Sequence, residues 1–387
     1  MIVFDKAGNV LKKADSFSET QDRTLHVKAE EGLIVLLRLS SFIIGIMKVV
    51  IYLLCVLATV ATAQTDNLNS AAALVDRQQS QDNSQIMAAL TAVISKKSGL
   101  SAQTIRDQGW LDDTFKQVVL RHYYEQLPAN VDYSGLWFHV VTDSSRLNQM
   151  LIDRSVPLWP PNRPELFVWL VEEQVDGSML HAAEDSDGRY WLKKMLHNKG
   201  IAHQFYNPMD ADLLQFMPED VSFLNPDLVD KIFEDYQPDQ VLLVKLRHHG
   251  SGHSYRMGLF ETAESDAVIE NRQFVDLPKG LDFLATSVQQ KLANGERIEA
   301  SKFGEFTLAV TVNNIDSAVA FLDLWQYLQN QPLIKDFQAT AYQQNSLQLQ
   351  LNVRVDRDAF IKVLDKEGSL QHMPLGMTHR TVFSWQP

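Results

Sequence analysis

The feature that most constrains this chain is a short apolar tract placed after an internal methionine. Met47-Lys48 is followed by the run Val49 to Val60 and then by Ala61-Thr62-Ala63. A cationic head, about a dozen apolar residues and small residues just before Gln64 have the form of a secretory signal. Whatever folds must therefore be built from the residues that follow. A single membrane span over Leu33 to Val60 is the competing reading, but Arg38 and Lys48 interrupt it. Each such cation costs roughly 2.5 to 3.5 kcal/mol at a helix centre. Putting Lys48 at the membrane edge leaves a tract shorter than the ~20 residues of a permanent span. The expectation is a non-native or disordered leader at 1–46, a signal at 47–63 and a body exported to the periplasm, with an inner-membrane anchor as the outcome if the signal is not cleaved.

The only cysteine, Cys55, lies within that tract. An exported body starting at Gln64 holds no thiol, so it has no disulfide and depends on burying apolar surface. Of the 35 lysines and arginines and 48 acids, 28 and 42 follow Ala63, a formal charge of −14. No basic run exceeds the pairs Lys96-Lys97 and Lys193-Lys194, which argues against a nucleic-acid partner.

The body divides into 64–155, an N-terminal α+β region; 156–295, a layered α/β domain; and 304–387, a smaller domain. In the first, apolar residues at Ile86, Leu90, Val93 and Ile94 predict a helix over 82–97 ended by Gly99. A second helix is expected over 112–126, a strand over 136–142 and a short helix over 144–154. The segment from Val156 to Pro164 carries four prolines and must be extended. Strands 166–171 and 241–246 are apolar throughout, as in sheets covered on both faces. Helices over 188–198, 226–236 and 280–293 alternate with them, and 254–260 and 269–277 read as hairpin partners. The order in 304–387 is β-α-β-β-α-β, a ferredoxin-like arrangement. The fold class is α+β.

Several constellations hold chemistry-bearing residues. His248, His249 and His253 surround a Gly-Ser-Gly turn; three imidazoles could ligate zinc or copper, but a hairpin tip satisfies the same spacing. Glu172-Glu173 at a strand end, with Glu184, Asp185 and Asp187 in the next loop, could supply an acid and a base beyond the strand ends. No histidine or lysine is tied to them by a known spacing. Nucleophile-elbow, P-loop, dinucleotide and His-Glu-x-x-His motifs are absent. No cofactor, metal or catalytic residue is assigned. Two features are candidate partner surfaces: Trp159 with Arg163, held in the proline-rich segment, and the polar face of the C-terminal sheet, where period two gathers Gln348, Gln350 and Arg354.

Val75-Asp76-Arg77 before an Ala/Leu/Val helix ending Ser98-Gly99, Leu136-Trp137-Phe138, the run from Val156-Pro157-Leu158-Trp159 through Arg163-Pro164-Glu165-Leu166 to Trp169-Leu170, and the unit from Asp227 to Val244 together give a resemblance. The chain resembles a family of exported proteobacterial proteins catalogued as domain of unknown function two thousand and sixty-six. The resemblance implies a cell-envelope location and brings no catalytic residues. The resulting expectation is a non-enzymatic module binding an envelope protein or peptidoglycan, against the alternative of a periplasmic hydrolase using the acidic loops.

Overall fold

A computed structural model of the chain describes residues 2–4, 10–13, 68–76, 82–207, 215–300, 306–374 and 381–386. The chain forms two compact units, Met1–Thr62 and Ala63–Pro387. In the first, strands β1 (Ile2–Phe4) and β2 (Val10–Lys13) pair antiparallel. The expected signal at 47–63 lies outside the described residues.

The second unit opens with a three-stranded antiparallel sheet, order β3 (Ser70–Val75), β5 (Leu136–Thr142), β4 (Val119–Gln126). Helix α1 (Asp82–Ser98) lays Leu90, Val93 and Ile94 into the same core as Phe138 and Val140 of β5. Lys96 and Lys97 stand in its last turn and are buried. Gly99, at φ +65°, ends it in a left-handed conformation that any side chain would strain. The short helix α2 (Ala102–Asp107) follows. The helix expected over 112–126 is not formed. Asp112 caps one 3₁₀ stretch, Asp113–Val118, and the chain then becomes β4. The reason lies in Val119, Tyr123 and Tyr124, residues that suit a pleated surface. Tyr123 stacks on His139 and Tyr124 packs on Phe138, on opposite faces of β5. Helix α3 (Ser144–Asp153) then buries Leu147, Leu151 and Ile152.

The α/β part is built on β6 (Leu166–Glu173), buried along its whole length. On one side it pairs parallel with β9 (Gln240–His249). On the other it pairs with β8 (His203–Phe205), parallel, and β7 (Met179–His181), antiparallel. Strands β10 (Gly252–Phe260) and β11 (Val268–Phe274) extend the sheet as an antiparallel meander. Helices α4 (Asp187–Asn198) and α7 (Leu277–Ala293) share a core with Val168, Leu170 and Val244 on one face. The other face packs Trp169 and Leu243 against α5 (Pro218–Phe223) and α6 (Pro226–Tyr236). Helices on both faces of a mixed sheet explain why β6 and β9 read as unbroken apolar runs.

The C-terminal part runs β12 (Phe306–Asn313), α8 (Ala318–Asn330), β13 (Ile334–Gln343), β14 (Ser346–Val353), α9 (Arg357–Glu367), β15 (Leu370–Met373) and β16 (Thr381–Trp385). The chain order is β-α-β-β-α-β-β, one strand more than the expected ferredoxin-like unit. The sheet runs β13-β14-β12-β16-β15, with β12 and β16 parallel where that unit pairs its first and last strands antiparallel, and with β15 beside β16 at the edge. Leu347, Leu349, Leu351 and Val353 point inward, and one continuous apolar cluster joins this core to the side of α1 and α3.

Candidate functional site

The proline-rich segment joins the first two parts, and Trp159 and Arg163, the pair expected to face a partner, lie within the fold and line a cavity in it. Both are buried, at 4% and 8% exposure. The Arg163 guanidinium lies 3.9 Å from the Trp159 ring and donates to four carbonyls: Pro160 at 3.2 Å, Lys96 at 2.6 Å, and Gly200 and Lys199 at 2.8 and 3.4 Å. Lys96 closes α1, while Lys199 and Gly200 close α4. One side chain thus satisfies carbonyls that two helix ends leave without donor partners. Burial pulls its pKa down from 12.5 to about 9. Gly200, at φ +71°, leaves room for it, since a Cβ there would overlap the guanidinium.

Behind this clamp lies a cavity of about 550 Å³. Its apolar walls are Leu158, Trp159, Pro160 and Pro161 of the segment, Ile298, and Leu333 and Val363 of the C-terminal part. Lys97, Ser144, Ser145 and Asn148 supply polar groups from one side, and Tyr327, Gln331 and Glu367 from the other. A concave space of this size, largely apolar with convergent polar groups, is the form of a ligand site.

Lys97 is 8% exposed. Among the described residues its ammonium has one hydrogen-bond acceptor, Ser144 Oγ at 3.2 Å, and no carboxylate within ion-pair distance. Burial first, and the Arg163 charge second, lower its pKa from 10.5 to about 7. Lys96 donates to the Ser70 carbonyl at 2.9 Å and is likewise lowered to about 7 by burial, Arg163 and Lys97. Across the cavity Glu367 accepts from Tyr327 Oη at 2.6 Å and Gln331 Nε2 at 2.7 Å. Burial raises its pKa against those two hydrogen bonds, and raises that of Tyr327 as well.

The remaining candidates are not gathered here. Gln350 is exposed and Gln348 half-buried on the face of β14 turned away from the helices. Arg354 is not free on that face: its Nη2 donates to Gln149 Oε1 at 2.9 Å, tying the C-terminal part to α3. The acidic and histidine features meet at the carboxyl end of the α/β sheet. Glu172 accepts from Ser186 Oγ at 2.9 Å and lies 3.5 Å from His248 Nε2. His248 faces His253 at 3.1 Å, whereas His249 contacts Ser254. Neighbouring strand residues alternate sides, so His248 and His249 do not converge. Among the described residues no group of three or more His, Cys, Asp or Glu is arranged to hold a metal ion. Glu173 is held by Lys245 and by Arg247 at 2.8 Å, which keep its carboxyl below the usual range. These two cations also line a smaller depression of about 340 Å³ with Arg256 and Arg272. Glu184 and Asp185 are exposed in the loop before α4. Asp187 is half-buried, and burial raises its pKa.

Sequence reasoning missed Lys97, Ser144, Tyr327 and Glu367. Lysines at a helix end and a serine in a first helical turn are ordinary residues there, and no local spacing joins positions 97 and 144.

No family model matches the chain, and no curated protein matches it. Among solved structures, the C-terminal domain of LpoB from Salmonella enterica overlaps 34% of this chain and 96% of its own, at 14% identity and a TM-score of 0.23. Lipoprotein GNA1162 from Neisseria meningitidis overlaps 34% of this chain and 97% of its own, at 14% identity and a TM-score of 0.21. Likenesses of that size carry no argument about fold or function. Among the described residues no helix is long and apolar enough to cross a membrane.

Proposed function

We propose that this chain is an exported protein of the bacterial envelope, of the kind catalogued as domain of unknown function two thousand and sixty-six, and that it works by holding part of a partner in the cavity between its three parts. The observation that carries this reading is the cavity itself: about 550 Å³, walled by Trp159 and its proline neighbours and reached by polar groups from α1, α3, α8 and α9. The signal-like tract before Gln64 supports export. The partner is an envelope protein or peptidoglycan. The alternative hydrolase built on the acidic loops is less well supported, because Glu173 is committed to Lys245 and Arg247.

The reading is tested with a photo-crosslinking residue at Asn148, in the cavity lining, or at Gln350, on the open sheet face. The expected result is a periplasmic adduct at position 148 that Val363→Trp suppresses by filling the space. Adducts at 350 alone would move the partner to the sheet. Absence of adducts at both, with no co-sedimentation on purified sacculi, would end the binding reading. N-terminal sequencing should find a start near Gln64, and an intact chain in the cytosol would end the export reading.

A further inference from the structure

We propose that Ser144 and Lys97 form a serine–lysine dyad that hydrolyses a carboxylic ester whose acyl part lies in the cavity. This rests on the reading that the cavity holds a ligand, and adds a reaction to it.

Four observations meet at Ser144. Its Oγ is 3.2 Å from Lys97 Nζ, within the distance at which a base takes a proton from a nucleophile. Lys97 is buried and, among the described residues, has no acidic partner to keep it charged. Ser144 is the first residue of α3, a helix of ten residues. The capping carboxylate of Asp143 accepts from Arg146 N–H at 3.0 Å, and the first-turn amides of Ser144 and Ser145 have no acceptor within the helix. An oxyanion forming beside Oγ would meet the positive end of that helix. Fourth, Leu158 and Trp159 line the same cavity as the dyad and give an apolar acyl chain a surface.

Charged and titratable groups stand on each element around the amine, with Asp143 capping α3 directly before Ser144. Arg163 and Lys96 stand on its own side; Glu367 and Tyr327 line the facing wall. Burial and Arg163 bring the amine to about 7, so near neutral pH a large fraction is uncharged and able to accept a proton.

In the reaction, the Ser144 hydroxyl proton passes to Lys97 Nζ as Oγ bonds to the ester carbonyl carbon. The tetrahedral intermediate collapses, the bond to the alkoxy oxygen breaks, and the leaving alkoxide takes the proton from the Lys97 ammonium. Water then adds to the acyl-serine ester, giving its proton to Lys97. Collapse releases the carboxylic acid and returns the proton to Oγ. Nothing but ester and water is consumed.

The test uses the purified full chain and p-nitrophenyl butyrate, following nitrophenolate release and mapping acyl adducts by mass spectrometry. The expected result is an adduct on Ser144, with kcat/KM reduced at least about 100-fold by Ser144→Ala and by Lys97→Met. Glu264→Ala, in an exposed turn away from the cavity, should match wild type. The rate should rise with pH, half-maximal near 7. Circular dichroism and thermal unfolding show whether each variant is folded. Ser144→Cys gives a second route: iodoacetamide should alkylate this thiol faster with Lys97 present than in the Lys97→Met background. Adducts scattered over surface lysines, a rate unchanged by Ser144→Ala, or equal alkylation in both backgrounds would overturn the dyad. If crosslinks from position 148 persist while Ser144 stays unacylated, the dyad fails and the binding reading stands. If both are missing, both fail.

Discussion

Replacing Lys97 by methionine should stabilise the fold while abolishing the proposed esterase, and the gain should shrink as pH rises. The side chain's pKa is 10.5 in the unfolded chain and about 7 in the folded one. Between those values the unfolded chain binds one more proton than the folded chain, so this lysine makes stability rise with pH and costs most at and below neutrality. At about 1.36 kcal/mol per unit, the cost is about 4 kcal/mol at pH 7 and about 2 kcal/mol at pH 9. Losing the hydrogen bond to Ser144 offsets roughly 1 kcal/mol at either pH. Lys97→Met should therefore gain about 3 kcal/mol at pH 7 and about 1 kcal/mol at pH 9. The difference of about 2 kcal/mol between the two is independent of packing changes in the variant. Urea unfolding at both values, with the slope on denaturant unchanged, measures it. Lys96 carries a similar lowering, so the wild-type dependence of stability on pH should be about twice as steep as the variant's through this window. Equal steepness, or a variant less stable at both pH values, would refute the reasoning.

Arg163→Met should destabilise by about 3 kcal/mol or more, because carbonyls at the ends of α1 and α4 lose a charged donor while buried; chemical denaturation checks this. Gly200→Ala should cost at least about 1 kcal/mol from its positive φ alone, and more from overlap with Arg163, read as a fall in denaturation midpoint. Leu351→Ala, at an inward position of β14 that is 1% exposed, should cost about 2 to 5 kcal/mol by the same assay. Tyr327→Phe should remove a hydrogen bond from Glu367 and raise that carboxyl's pKa further, measurable by carbon-13 NMR titration of the glutamate carboxyl resonances.

Elements governed by a local period are legible in the sequence alone. Helix α1 declares itself through Leu90, Val93 and Ile94 and stops at Gly99, and the C-terminal unit declares itself through the alternation in Phe306–Asn313 and Ser346–Val353. Strand β4 is hidden from such a reading because its preference emerges only in the pairing: Tyr123 and Tyr124 find rings on opposite faces of β5. The site is harder still. Trp159 and Arg163 stand out among prolines, yet their role depends on carbonyls 67 and 37 residues away. Glu172 and His248 are separate features in the sequence, and parallel pairing of β6 with β9 brings them to the same end of the sheet. The contact between positions 97 and 144 brings the end of α1 to the start of α3, which no spacing rule encodes.

The Arg163 clamp ties together regions distant along the chain. Because one guanidinium terminates both α1 and α4, the backbone one residue before Lys97 is pinned to the end of a helix that covers the α/β sheet. Any event that displaces that end of α4 must break a hydrogen bond or drag the amine with it. The cavity wall and the end of α4 therefore share a single planar ion as an axle.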